Sequence, residues 1–194
     1  DFLKPQAFHD TPVTRSGGIA AIISLGIFFY IYYLLYEDVL YNYIFISCSV
    51  FIIGFLDDLR INIKPLSRLV IMILLLFASI YVLPIKILNI DIPFLTSLMS
   101  SHMFSSIFVL LCFLFVINGA NLIDGFNGLL TIHLIIINII LAYININQGY
   151  LEFSILIISQ IIILLSFLLF NFPSAKIFLG DSGAYSMGAL VGLN

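Results

Sequence analysis

Charge is what this sequence lacks most. Only 9% of its 194 residues are Asp, Glu, Lys or Arg, while 62% are hydrophobic. A soluble domain carries about 25% charged residues. A water-soluble core of this size cannot hide so much apolar surface, so the solvent must be a bilayer. The net charge is small, -3, and no basic tract occurs, so nucleic acid is not expected as a partner. Cysteine is scarce as well. Cys48 and Cys112 lie inside separate apolar runs; no disulfide framework is expected, and both read as ordinary buried thiols. HExxH, CxxC, Gly-x-Ser-x-Gly and P-loop patterns are all missing, which leaves a zinc site or a serine-hydrolase elbow without support. No signal peptide is visible. The chain begins at Asp1 and stops at Asn194 inside an apolar stretch, as a piece of a longer protein would.

What is present is a series of long oily runs. A membrane-crossing helix needs about 20 mostly apolar residues. The runs predict spans at roughly 18–36, 39–56, 66–84, 103–118, 129–146 and 151–170, and a truncated one over 183–194. A single partial transmembrane domain over 1–194 follows, an all-α polytopic bundle. Between the third and fourth spans, "IKILNIDIPFL" (Ile85 to Leu95) alternates apolar and polar residues around Asn89. That alternation predicts a short surface β-hairpin.

Successive spans alternate in direction, so the connections fall into two sets. One contains 1–17, 57–65, 119–128 and 171–182; the other contains 37–38, 85–102 and 147–150. Of the 7 Lys and Arg, Lys4, Arg15, Arg60, Lys64, Arg68 and Lys176 belong with the first set and Lys86 alone with the second. Short positively charged loops stay cytoplasmic, so the first set is expected there. The same set holds nearly every unusual polar cluster. A structural membrane protein has little reason to gather its Asp, Asn and Gly on one face; an enzyme with one cytoplasmic site does.

Asp57 and Asp58 stand at the end of the second span. Helix C-termini carry partial negative charge, so adjacent acids there ask for a compensating cation. Arg60, Lys64 or a bound Mg2+ would serve; a solvated helix end is the plain alternative. In "NGANLIDGFNGLL", Asn121, Asp124 and Asn127 recur every third residue. On a helix they would cover about 120° of one face. Such oxygen donors suit a hard cation or a nucleotide's polar groups, and an Asp between apolar runs is a functional candidate by default; the plain alternative is a capped helix–loop junction. In "NFPSAKIFLGDSG", Asp181 opens the last helix. Alone it reads as a cap; beside the other acidic clusters it is a plausible metal ligand, with Lys176 as a point charge for phosphate. Arg15, in "HDTPVTRSGG", is a further candidate phosphate contact. His133 sits in an apolar helix and reads as a packed or hydrogen-bonded residue.

Four stretches in this order, "HDTPVTRSGGIA", "GFLDDLRINIKPLSRL", "NGANLIDGFNGLL" and "AKIFLGDSGAYSMG", resemble the polyprenyl-phosphate N-acetylhexosamine-1-phosphate transferases, glycosyltransferase family 4. The resemblance implies transfer of a sugar-1-phosphate from a UDP-N-acetylhexosamine to undecaprenyl phosphate, with release of UMP. It implies Mg2+, or Mn2+, as cofactor, a multi-pass protein of the inner (plasma) membrane and a cytoplasmic active site. Asp57 and Asp58 match the family's acidic catalytic pair. Asn121 and Asp181 match its metal positions. Asp124, Asn127 and Lys176 match nucleotide-sugar contacts. The "PSAKIFLGDSG" stretch looks more like the branch that initiates cell-envelope polysaccharides than the branch using the UDP-muramoyl pentapeptide, which stands as the alternative. Departures are Asn127 in place of the usual bacterial Asp, Ala184 in place of Ser, and a missing Gln in the helix after Arg68. They keep a non-catalytic homologue in view. A transporter would place its polar groups near the midplane, and here they lie at one face. Oligomeric state is not read from the sequence, and a homodimer is compatible with it.

Overall fold

The computed structural model describes residues 13–59, 61, 63–83, 85 and 92–194. Eight helices occur among the described residues: α1 (Gly17–Tyr36), α2 (Tyr41–Asp58), α3 (Pro65–Val82), α4 (Pro93–Met99), α5 (His102–Ile123), α6 (Leu129–Asn147), α7 (Leu151–Asn171) and α8 (Gly180–Leu193). Six of them, all but α4 and α8, are long and apolar enough to cross a bilayer. Strand pairing among the described residues is limited to one isolated parallel bridge, Thr14 with Ile177. The protein is thus an all-α polytopic bundle.

Most of the expected hairpin, residues 86–91, lies outside the described residues, as does Lys86; its last residues, from Pro93, open α4 instead. Proline at a first helical position suits its fixed φ and missing N–H. α5 runs on past the expected limit near 118, to Ile123. Asn118 does not end it, because its Nδ2 donates to the Leu114 carbonyl one turn back, at 2.8 Å.

The helix at the centre is the least oily one. In α8, every residue from Ser182 to Leu190 is buried, against α2, α5 and α1. Its Gly, Ala and Ser side chains let neighbouring backbones approach closely, the usual device where lipid gives no hydrophobic drive between helices. One apolar cluster (Leu25, Leu134, Leu164, Met187) joins α8 to α1, α6 and α7. A second (Ile46, Met72, Phe113, Tyr185) joins it to α2, α3 and α5. Ile23, Leu74, Phe115 and Leu169 face outward, as a bilayer solvent requires. Cys48 and Cys112, expected to be buried, are free thiols on exposed outer faces of α2 and α5. An apolar run that meets lipid has no need to hide its thiol inside protein.

Alternating directions bring the starts of α1, α3, α6 and α8 to the same end as the finishes of α2, α5 and α7. Backbone pairing fastens that end. Phe178 N–H donates to Thr14 O (2.8 Å), Gly17 N–H to Phe178 O (3.0 Å) and Gly18 N–H to Leu179 O (2.8 Å). Asn171, buried at the end of α7, accepts from Gly128 N–H on Oδ1 (2.5 Å) and donates from Nδ2 to Ile177 O (2.9 Å). The loop before α8 is therefore anchored to both α1 and α6.

Candidate active site

At this end α2 lays its last turn beside the first turn of α8. Gly54, one turn before Asp58, makes the approach possible: a Cβ there would stand 2.5 Å from the backbone C and O of Asp181 and from Cα of Ser182. Asp57 then meets Asp181, their carboxyl groups within hydrogen-bond reach of each other. Arg68, in the first turn of α3, is ion-paired with Asp57. Its Nη1 also lies 3.6 Å from Asp181 Oδ2, and its guanidinium sits over the Tyr185 ring, 5.7 Å from the centroid. Tyr185 is one turn beyond Asp181, and its hydroxyl accepts from Asn121 Nδ2 at 3.1 Å. Asn121 is thereby tied to the helix that carries Asp181.

Asp58 differs from its neighbour. Its Oδ1 accepts from Asp181 N–H (3.0 Å), and its Oδ2 accepts from Ser182 N–H (3.0 Å) and Ser182 Oγ–H (2.6 Å). Arg15 Nη1 is 3.8 Å from Oδ1.

The acids are crowded. Burial, then the hydrogen bond shared with Asp57 and the charge of Asp58, push the Asp181 carboxyl up to about 7, against a pull from Arg15. Burial, then the nearby charges of Asp181 and Asp58, push Asp124 up to about 7, again opposed by Arg15. Two carboxyls in contact need a proton or a cation between them.

Asn121, Asp124 and Asn127 do not share a helix face. α5 ends at Ile123, Asp124 is its C-cap, and Gly128, at φ 74°, begins α6. Asn127 Nδ2 donates to Pro173 O at 3.0 Å, on the rim. Lys176 is exposed on the same rim, its backbone N–H bonded to Phe170 O. Among the described residues, no hydrogen bond or ion pair joins the Asn127 or Lys176 side chain to Asp57, Asp58 or Asp181. His133, exposed on α6, has Nδ1 3.1 Å from Leu129 O. Arg68 and Tyr185 are the site residues that sequence reasoning did not assign. Arg68 offered one signal, a cation eleven residues after Asp57 at the same membrane face.

Among the described residues, no three His, Cys, Asp or Glu side chains gather closely enough to cage an ion by themselves. The oxygen donors gathered here are the Asp57 and Asp181 carboxylates, with the Asn121 amide joined to α8 one turn on, through Tyr185. That all-oxygen set fits Mg2+. Mg2+ keeps several waters and binds through one or two carboxylates plus substrate phosphates. Arg68 holds the counter-ion position between the two acids. Arg68→Ala should therefore lower the protein's stability by about 1–2 kcal/mol, the cost of leaving half-buried like charges uncompensated. Added Mg2+ should raise the melting temperature of that variant more than that of the parent, as thermal unfolding in detergent would reveal. An unaltered melting temperature would exclude the counter-ion role.

Residues 39–194 match the family described as Glycosyl transferase family 4. The chain belongs to that family. It is 34% identical over 149 residues to a phospho-N-acetylmuramoyl-pentapeptide-transferase of Clostridium perfringens (strain 13 / Type A), covering 73% of this chain and 47% of that protein. The same named enzyme of Streptococcus thermophilus (strain CNRZ 1066) is 37% identical over 149 residues, 72% of this chain and 43% of that one. A protein of Sulfolobus acidocaldarius, whose name proposes a UDP-N-acetylglucosamine–dolichyl-phosphate N-acetylglucosaminephosphotransferase, is 32% identical over 192 residues, 94% of this chain and 57% of its own length. The chain spans about half the length of the curated relatives it matches.

Proposed function

We propose that the full-length protein transfers an N-acetylhexosamine-1-phosphate from a UDP-sugar to undecaprenyl phosphate at the cytoplasmic face, releasing UMP, as a first step in building a cell-envelope polysaccharide. The observation that carries this reading is the gathering of Asp57 and Asp181 on Arg68, with Asn121 tied to the same helix through Tyr185, at one end of a membrane bundle. Arg15, Lys64, Arg68 and Lys176 belong to that end, and positive charge favours the cytoplasm.

In this reading the lipid tail stays in the bilayer while its phosphate meets a soluble nucleotide at the helix ends. An oxygen of the lipid phosphate forms a bond to the sugar-bearing phosphorus as the bond to UMP breaks. The nucleophile is already anionic near neutral pH, so these residues position and neutralise rather than abstract a proton. Asp57, Asp181 and Asn121 would hold Mg2+, which when bound neutralises diphosphate charge and stabilises the departing UMP. Arg15 and Lys176, exposed on the rim, supply point charges for phosphate. Asp124 and Asn127, at the α5–α6 junction, face the nucleotide-sugar.

A second reading is a phospho-N-acetylmuramoyl-pentapeptide transferase, after the names of the Clostridium and Streptococcus relatives. The Sulfolobus relative aligns over more of this chain, which favours the simpler hexosamine donor. The deciding experiment gives full-length protein undecaprenyl phosphate and a panel of UDP-sugars that includes the muramoyl pentapeptide, and weighs the lipid product by mass spectrometry. An undecaprenyl-diphosphate N-acetylhexosamine is the expected product. A product with the pentapeptide donor alone selects the second reading, and no lipid-linked product with any donor rejects both.

A further inference from the structure

Two adjacent aspartates invite a shared role, yet their surroundings divide them. Asp57 is open to the site, ion-paired with Arg68 and in reach of the Asp181 carboxyl. The Asp58 side chain is 4% exposed, and both of its oxygens are taken by the backbone and side chain of α8.

The first N–H groups of a helix have no partner within it. The residue before α8, Leu179, offers no side-chain cap. Asp58 supplies that cap from another helix: it takes the N–H groups of Asp181 and Ser182 and the Ser182 hydroxyl, all within 2.6–3.0 Å. A carboxylate is the favoured group there, since the helix start carries partial positive charge. Gly180 leaves room for it. Its φ is 77°, and a Cβ would stand 2.6 Å from Asp58 Oδ2. The residues that Asp58 holds are the turn that carries Asp181, with Tyr185 on the next turn.

We infer that Asp58, with Ser182, is a positioning residue rather than a group that touches substrate. It fixes the first turn of α8 so that Asp181 meets Asp57 and Tyr185 meets Asn121. Its contribution reaches the reaction through the geometry of the metal-binding acids. The inference rests on the proposed function for what Asp181 does, but the cap itself does not depend on it.

Two variants test it in the full-length protein, because Asp58→Ala alone can simply unfold. Asp58→Asn keeps one acceptor oxygen and sets an NH2 against the α8 donors. Ser182→Ala removes only the hydroxyl bond. Mn2+ binding by electron paramagnetic resonance needs no sugar donor and reads the site directly. Residues that orient metal ligands typically matter by about 10–100-fold in metal affinity, and losses of about tenfold or more are expected for Asp58→Asn, smaller for Ser182→Ala. In turnover, the deficit of Asp58→Asn should sit in the KM for Mg2+ and be largely recovered at high Mg2+, whereas Asp57→Asn loses kcat at every Mg2+ concentration. Parent-like Mn2+ affinity with a collapsed kcat in Asp58→Asn would overturn the inference and make Asp58 a catalytic residue. If Asp58→Asn does not fold, parent-like Mn2+ affinity in Ser182→Ala overturns it. A parent protein that binds no Mn2+ overturns it too. A parent that binds Mn2+ but transfers no sugar-phosphate defeats the proposed function alone, and the Mn2+ affinities of the variants still decide the role of Asp58.

Discussion

Asp181→Ala in the full-length protein is expected to lose at least about 10³-fold in Mg2+-dependent transfer, a barrier increase of about 4 kcal/mol. Two contacts meet on this carboxyl, the Asp57 carboxyl and the Arg68 guanidinium 3.6 Å away, and the first turn of the buried helix α8 carries it. Without it, Asp57 closes on Arg68 as a simple ion pair, and the donor set falls to one carboxylate and one amide. Folding should not suffer in parallel. A half-buried acid pressed against two others opposes compactness, so the variant's melting temperature should equal or exceed the parent's, the usual trade between stability and a strained active site. Exchange of radiolabelled UMP, with thermal unfolding beside it, measures both. Near-parental exchange would remove Asp181 from the metal site. Lost exchange with a lowered melting temperature would assign it to the fold.

The spans were legible because hydropathy reports contact with lipid, and a run of about 20 apolar residues has few other uses. That the polar clusters gather at one end of the bundle followed from alternation of the spans. What hydropathy does not carry is which helix stands in the middle. α8 is central through its small side chains, and smallness has no period that stands out in one sequence. Partners far apart in sequence were equally hidden. Asp58 and Ser182 are 124 positions apart, and Asn121 and Tyr185 are 64 apart. Asp58 therefore reads as half of an acidic pair, although its oxygens belong to another helix's backbone. The every-third spacing of Asn121, Asp124 and Asn127 reads as one helical face, yet Asp124 caps α5 and Gly128 takes a left-handed conformation. Local chain breaks override the periodicity, and the three residues reach the site end by separate routes.

Gly54→Ala should be severely damaging for a single added methyl. The new Cβ would lie 2.5 Å from three backbone atoms of Asp181 and Ser182, and backbone cannot rotate aside as a side chain can. Either α2 or the start of α8 must shift by about 1 Å to reach ordinary contact. Overpacking of this kind costs about 1–3 kcal/mol. The shift also opens the distance between Asp57 and Asp181, and misplacement by about 1 Å can cost about 10²-fold in rate. Both losses should appear together, in thermal unfolding and in sugar-phosphate transfer by the full-length protein. Gly26→Ala provides the contrast. It lies in α1, no heavy atom stands within 4 Å of its new Cβ, and replacing a mid-helix glycine should stabilise by about 0.5–1 kcal/mol. If Gly54→Ala behaves like Gly26→Ala, the helices are not as close as 2.5 Å implies, and the approach of α2 to α8 is not what brings the acids together. If it weakens transfer while Gly26→Ala does not, the contact of the two backbones sets the site, and the acidic residues work only because a glycine stands one turn below them.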